Sequence, residues 1–349
     1  MPGPIVPRDG TRTAVVIVNW ERADLTERAA RAVLDDPTAD AQVVVVDNGS
    51  SDDSLAVLRA ALPDVVLVAR DRNDGFAAGA NAGIRATDAD VVVLLNNDAE
   101  PARGFVAALR DHLARAAPDT AAVTGRILLA GRWSRLPADA VPAPDQRVLR
   151  DHAGHRWTPA PDGAVRVNST GVRVDRDGNG RDRDWFAAAD HRADVDVFGF
   201  SGGASALRRS ALDDVGLLDE SLFMYYEDTE LAWRLRRRGW RVEHAADAVV
   251  EHDHSASSGV RSDLFVFRNA RNRLVVALWH APWSTVVRAT VRTAARGLRG
   301  LTSARDRREA RLVLAALVDV AGHLPRHLAR RLREDRRASV PRRSVDPGA

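Results

Sequence analysis

Short valine-rich apolar runs, each closed by a polar cluster, set the rhythm of the first hundred residues. Residues 13–19 (TAVVIVN), 42–46, 65–69 and 91–95 each read as a strand buried on both faces of a parallel sheet. Between them, residues 21–35 carry Leu25, Ala29 and Val33 at helical spacing and stop before Pro37. Ser50 to Ser54 can cap a second helix, and the glycine-bearing stretch 73–81 (NDGFAAGAN) enters a third. This alternation predicts an α/β fold: a doubly wound, mostly parallel sheet with helices on both faces. Pro101 is expected to open a further helix, where its missing N–H costs nothing, and residues 121–124 give one more short strand.

From 131 to 193 the pattern dissolves into proline, glycine, arginine and aspartate, predicting an irregular lobe with strands at 164–168 and 171–174. Order returns at 195–209, where Gly202 and Gly203 permit the close backbone approach that a substrate-facing loop at the acceptor or diphosphate requires; a tight packing point between strands reads equally well. In residues 217–240 (LLDESLFMYYEDTELAWRLRRRGW), Leu231 and Leu235 stand four apart and Gly239 closes a helix that begins near Glu227 and Asp228. Strands near 240–243 and 248–250 lead to His252, Asp253 and His254.

Each strand of the first half ends in polar groups: Asn19, then Asp47 and Asn48, then the loop that carries Gly75, Gly79 and Asn81, then Asn96, Asn97 and Asp98. In such sheets ligands bind at the carboxyl ends of the strands. Asp98 between amides and small residues offers hard oxygen donors for Mg2+ or Mn2+. A lone NND after a strand is also an ordinary turn, and the recurrence at successive strand ends is what weighs against that reading. Acids in a first helical turn are ordinary dipole partners. Met224, Tyr225 and Tyr226 directly before Glu227 and Asp228 would nevertheless screen the pair from water, which is how a carboxylate becomes a general base. His252 and His254, two apart on an extended segment, would share a face fit for a metal or a diphosphate; solvent-exposed histidines are the plainer alternative.

Composition removes whole classes of chemistry. The chain of 349 residues has no cysteine, and all 51 basic residues are arginine, so cysteine nucleophiles, thiolate metal sites, a P-loop lysine and a lysine Schiff base are excluded. No glycine fingerprint follows the first strand, where NWERAD stands, which argues against a dinucleotide cofactor. The net charge of +3 conceals a split: residues 261–349 hold 20 Arg against 7 acids, and residues 1–260 hold 31 against 41. Beyond 261 the chain reads as basic amphipathic helix with Trp279 and Trp283, suited to a membrane surface or an acidic partner. Residues 1–12 do not read as a signal peptide, and no run reaches the roughly 18 apolar residues of a spanning helix.

TAVVIVNW, VVVVDNGSSDDS, RNDGFAAGANAGI, VVVLLNNDAE, GFSGGASALRRSAL, GLLDESLFMYYEDTELAWRLRRRGW and RNARNRL together resemble the family 2 glycosyltransferases of the GT-A fold, in particular the bacterial rhamnosyltransferase-like branch. The resemblance runs from about Thr13 to Pro282 and covers the lobe and the tail poorly. It implies an inverting, metal-dependent hexosyltransferase that moves a sugar from a nucleotide diphosphate, dTDP-rhamnose or a UDP-hexose, to an acceptor hydroxyl on a glycan or lipid-linked intermediate of the cell surface. Carried over residue by residue, Asp47 would bind the base or ribose, Gly79 and Asn81 would lie in the donor loop, and Asn96 with Asp98 stands where the family has DxD. Here the first carboxylate of that motif is an amide, which leaves Asp98 as the chief ligand of Mg2+ or Mn2+. Asp228 matches the catalytic base, Glu227 with Trp233 and Arg234 would position it and the acceptor or diphosphate, and His252 would close the metal site.

The expected plan is a disordered start (1–12), a glycosyltransferase domain (13–260) and a basic helical region (261–335) before a disordered tail (336–349). Within the domain, 13–125 is the nucleotide half and 126–260 the acceptor half. The C-terminal helices are expected to hold the protein on the cytoplasmic face of the membrane, and nucleic acid is not an expected partner. A non-catalytic nucleotide-sugar scaffold and a sugar-phosphate nucleotidyltransferase are the alternatives. The latter would want a basic glycine-rich loop where the acidic NWERAD stands.

Overall fold

The computed structural model describes residues 11–143, 145–253, 262–303 and 306–345. The alternation read from the first hundred residues is present as β1 (Thr13–Asn19), α1 (Ala23–Leu34), β2 (Gln42–Asp47), α2 (Ser54–Ala61), β3 (Val66–Ala69), α3 (Phe76–Arg85) and β4 (Val91–Asn96). Pro101 does not open a helix. It ends a three-residue strand, β5 (Ala99–Pro101), and α4 (Phe105–Arg115) starts only after Gly104, whose left-handed backbone (φ 85) turns the chain. The short strand expected at 121–124 is the ten-residue β6 (Thr120–Leu129).

Short strands β7 (Trp133–Arg135), β8 (Leu149–Arg150) and β9 (Arg156–Pro159) form a small separate sheet in the lobe. They pack Trp133 and Leu149 under Phe186, with Trp157 and Trp185 against its ring. β10 (Val167–Ser169) joins the main sheet beside β6, and β11 (Val172–Val174) pairs with β12 (Gly180–Asp182) as a hairpin. Then follow β13 (Ala204–Arg208), α5 (Arg209–Val215), α6 (Glu227–Arg237) and β14 (Arg241–His252). Where two strands were expected there is one bent strand. Its register against β6 slips between Ala245 and Val249, and a side chain on Gly125 would strike the Ala248 carbonyl there.

The main sheet runs β3-β2-β1-β4-β13-β6-β14-β5, parallel through β4 and mixed beyond it. Valines and leucines of its two faces feed separate cores, one under α1, α2 and α4, the other under α3, α5 and α6. β2 lies on one side of β1 and β4 on the other, so strand order reverses beside β1 and opens a crevice at the strands' carboxyl ends.

Beyond the sheet lie α7 (Asp263–His280), α8 (Trp283–Leu301), α9 (Arg307–Gly322) and α10 (Leu324–Arg337). They form no free amphipathic arm. Trp279 is buried against His327, and Arg331 donates to the carbonyls of Leu278 and Ala281. Nor is the segment from 336 a loose tail through Val345. The N–H groups of Ser339 and Val340 donate to the Arg237 carbonyl, Arg342 pairs with Asp335, and Val345 packs in the cluster of Trp233 and Trp279. Residues 1–10 of the expected disordered start, His254 and residues 346–349 of the expected disordered tail lie outside the described residues. Among the described residues no single helix is long and apolar enough to cross a membrane.

Candidate functional site

β1 and β2 pair Asn19 with Asp47 at their ends, and β1 sets Val18 beside Asn96 of β4. Asp47 is almost fully buried, and its carboxylate accepts from Asn19 Nδ2 at 2.8 Å and from Ser50 Oγ at 2.6 Å. Thr26 Oγ1 donates to Asn19 Oδ1, while Asn97 Nδ2 donates to Thr26 at 3.3 Å. Three polar strand ends are thereby fixed in one network. Asn48 holds the next loop: it donates to Asn73 Oδ1 and to the Gly75 carbonyl, and accepts from Arg70 at 2.6 Å. Gly75 has φ 92, and a side chain there would collide with the Phe223 carbonyl and ring, so glycine is required for the loop to meet the segment before α6.

Two members of the expected donor loop have other work. Asn81 is buried, bonded to both the N–H and the carbonyl of Leu218 and to Glu220. Gly79 lies where a side chain would press on Val18 and Asn48, so it serves the packing of α3 on the sheet. Trp233 and Arg234 likewise do not reach an acceptor or a diphosphate. Trp233 sits in the core edge-to-face with Phe198, and every nitrogen of Arg234 is taken by Glu230 or by the carbonyls of Val215, Gly216 and Leu217. The expected helix is present, but both side chains lie buried on its inner face.

β13 runs antiparallel to β4 with Ala204 opposite Leu95, which lays Gly203 over Asn96. The Asn96 N–H donates to the Gly203 carbonyl, and a side chain on Gly203 would strike the Asn96 amide at 2.8 Å. The adjacent Gly202 N–H donates to Asp228 Oδ2 at 3.2 Å. On the other side of Asn96, the register of β14 against β5 places His252 opposite Ala99. There His252 Nε2 lies 3.1 Å from Asp98 Oδ1, and its Nδ1 lies 2.7 Å from Asn168 Oδ1. One continuous path therefore runs from Asp228 through Gly202, Gly203 and Asn96 to Asp98, His252 and Asn168.

Asp98 and His252 suit a divalent ion. With Nδ1–H given to the Asn168 oxygen, the Nε2 lone pair confronts a carboxylate, an arrangement that calls for a cation or a proton between them. One oxygen and one imidazole nitrogen fit Mn2+ better than Mg2+, with the remaining positions left to ligand oxygens. Among the described residues no group of three or more His, Cys, Asp or Glu could hold an ion unaided.

Glu227 and Asp228 open α6 under strain: Phe223, Tyr225 and Tyr226, directly before them, have φ of 66, 68 and 72, a left-handed region costly to residues with side chains. Asn272 of α7 holds that segment, donating to the carbonyls of Leu222, Met224 and Tyr225. Burial, and then repulsion from Asp228, pushes Glu227 up to about 8, and its Oε2 is buried without a hydrogen-bond partner. Burial raises Asp228 as well, although N–H groups of Gly202 and Thr229 favour its charged form. Burial therefore disfavours charge on both carboxyls, and of the two only Asp228 has N–H donors from other residues that favour its charged form. Asp182 of β12 is a third carboxylate here. Burial raises it to about 6, and it feels the charges of both Asp228 and His252. Asn168, Asp182 and Asn272 were not singled out as site residues from sequence. The VNST stretch in the irregular lobe and the RNARNRL motif were the signals available.

A family model described as glycosyl transferase family 2 matches residues 14–216. The pre-mycofactocin glycosyltransferase of Mycobacterium tuberculosis is 28% identical over 218 residues, 61% of this chain and 37% of that protein. The N-acetylglucosaminyl-diphospho-decaprenol L-rhamnosyltransferase of the same organism is 28% identical over 230 residues, 62% of this chain and 68% of that protein. The match thus spans little more than a third of the first relative. Among solved structures, GalNAc-T7 with UDP, GalNAc and Mn2+ superposes with a TM-score of 0.58 at 15% identity, covering 91% of this chain and 58% of that one, a likeness of fold. Asp228 and His252 lie beyond the residues that the family model matches.

Proposed function

This chain belongs to glycosyl transferase family 2, and from that premise we propose that it transfers a sugar, with inversion, from a nucleoside diphosphate to an acceptor hydroxyl, with Asp228 as the base. The observation that carries the reading is the path joining the candidate base to the candidate metal ligand: Asp228 bonds to Gly202, and Gly203 bonds to Asn96, two residues from the Asp98–His252 pair. Displacement needs a base on the acceptor's side and charge stabilisation on the leaving group's side, and these two ends supply them. The acceptor oxygen forms the new bond to the anomeric carbon as the bond to the diphosphate breaks. Its proton goes to Asp228, and the electron pair of the broken bond goes to the terminal phosphate oxygen.

Asp98 and His252 would hold Mg2+ or, by their donor types, Mn2+, and such an ion supplies positive charge to the departing diphosphate. Asp47, its orientation fixed by Asn19 and Ser50, would accept the N3–H of uracil or thymine. The donor is a uridine or thymidine diphospho-sugar, with dTDP-rhamnose first because a rhamnosyltransferase is among the relatives. A thermal-shift screen of UDP-, dTDP- and GDP-sugars with and without Mn2+ tests this, since a ligand of the native state raises stability according to its affinity. A shift with GDP-sugars alone would overturn the donor assignment.

Attachment to the inner membrane face rests on α8. Trp283, Val287, Val291 and Leu298 are each more than half exposed along it, with Arg288, Arg292 and Arg299 on the same helix. An apolar stripe flanked by arginine fits an anionic lipid surface, where each such residue contributes about 1 kcal/mol. Because α9 and α10 complete the core beneath α6, the sharper test is a substitution and not a truncation. Val287→Glu with Val291→Glu should abolish sedimentation with anionic vesicles, and unchanged sedimentation would refute the attachment.

A further inference from the structure

We infer that the cavity walled by β12, the turn at 150–152 and helices α7 to α9 is the acceptor site, and that it takes an acceptor carrying a phosphate or diphosphate ester. The inference rests on the glycosyl-transfer reading and adds to it the acceptor's chemistry. The cavity measures about 510 Å³, within the range of small-ligand sites. Arg150, Arg181, Arg273 and Arg296 line it against two carboxylates, Asp182 and Glu309. Trp185, Tyr226 and Phe265 supply ring faces. Such a lining selects an anion joined to an apolar or sugar-like body.

Arg273 gives the strongest reason. Its guanidinium is partly buried and bonds to the Asn179 oxygen at 2.6 Å and to the Thr293 hydroxyl, both neutral. Among the described residues no carboxylate lies within ion-pair distance of it, whereas Arg181 pairs with Asp175 and Arg296 with Glu309. Burial lowers its proton affinity, and Asp175 and Asp177, both beyond ion-pair distance, offset that only in part. An entering phosphate would supply that counter-ion, with Arg296 and Arg181 within the same wall.

Position favours an acceptor over an unrelated anion. Tyr226 on the wall directly precedes Glu227 and Asp228, and its hydroxyl accepts from the Gly180 N–H at 3.2 Å. A side chain on Gly180 would meet Thr229, so β12 touches the first turn of α6. A sugar hydroxyl held between Asp182 and Asp228, with its phosphate toward Arg273, would meet the base from the cavity side. Thr293 and Arg296 of the wall belong to α8, the helix with the exposed apolar stripe, which gives a lipid chain a course toward the surface.

The test uses the full chain in excess EDTA, which keeps metal-bound nucleotide out of the crevice. Inorganic pyrophosphate and farnesyl diphosphate are titrated by thermal shift against the wild type, Arg273→Gln and Arg296→Gln. Both probes should raise the melting temperature of the wild type, and each variant should raise the half-saturating concentration at least tenfold. The shift by dTDP with Mn2+ should stay unchanged in both. Tighter farnesyl diphosphate points to an amphiphile and equal binding to the anion alone, and both agree with an anion site. Arg296 is exposed, so its variant keeps the test open if Arg273→Gln fails to fold. Wild-type affinity for the probes in Arg296→Gln, or no shift by either probe, overturns the inference. Loss of the nucleotide shift in the wild type would instead refute the underlying reading.

Discussion

Glu227 and Asp228 stand less than one helical turn from Glu230 on α6, yet the two settings are opposite. Burial would raise Glu230 too, but Arg234 at 2.7 Å and His280 at 3.0 Å overcome it and hold the carboxyl down to about 2, and Arg330 of α10 lies 3.7 Å away. Glu227 has only burial and a like-charged neighbour, and it rises to about 8. Glu230 ties α6 to α7, to α10 and, through Arg234, to the carbonyls of 215–217. The difference teaches that burial alone does not assign a role to an acid. The partners do, and the acids without counter-ions are the ones at the crevice.

The largest expected effect breaks the comparison on its catalytic side. Asp228→Asn keeps shape while losing proton affinity, and should lower kcat by about 10² to 10⁴ with donor affinity nearly unchanged in steady-state kinetics. If Glu227→Gln abolishes transfer and Asp228→Asn does not, the two roles are reversed. On the structural side, Glu230→Gln strips a buried arginine of its charge partner and removes the carboxylate bonded to buried His280. Chemical denaturation should register a loss of about 3–5 kcal/mol, while catalysis per folded molecule persists. Asp98→Ala is expected to remove the enhancement of nucleotide binding by Mn2+, at least tenfold by titration with and without chelator. Full activity of the wild type in excess chelator would remove the metal from the scheme.

The smallest effect is in the pH dependence of stability. A carboxyl raised from 4.5 to about 8 contributes stability that is whole below 4.5 and is lost as pH rises toward 8. A carboxyl depressed from 4.5 to about 2 contributes stability present above 4.5 and lost as pH falls toward 2. Glu227→Gln should therefore flatten the alkaline decline in melting temperature, and Glu230→Gln the acid one. If the two variants shift the same limb, the contrast between the two acids fails.

The sheet was legible because buried parallel strands write themselves as valine runs with polar ends, and β1 to β4 follow that pattern closely. Asn19, Asp47, Asp98 and Asp228 were readable for the same reason, as polar punctuation of apolar elements. Arg234 was not, since on a helix only three-dimensional packing tells which face is inward, and its charge is matched by Glu230 one turn back. Asp182 was hidden because the lobe draws its order from a cluster of aromatic rings and two-stranded pairings, which leave no periodic trace. The tail misled for a related reason. Its arginines read as a solvated face, yet Arg331 and Arg342 spend their donors on carbonyls of α7, which no spacing rule reveals.

The most direct test of the account is nucleotide release measured beside nucleotide binding, on wild type and Asp228→Asn, with dTDP- and UDP-sugars, a phosphorylated acceptor, and Mn2+ present or withheld. The wild type should release the nucleoside diphosphate only when the divalent ion is present. Asp228→Asn should bind the donor as tightly and release about 10² to 10⁴ times more slowly. Release at equal rates by the two proteins, or release that ignores the metal, would contradict it.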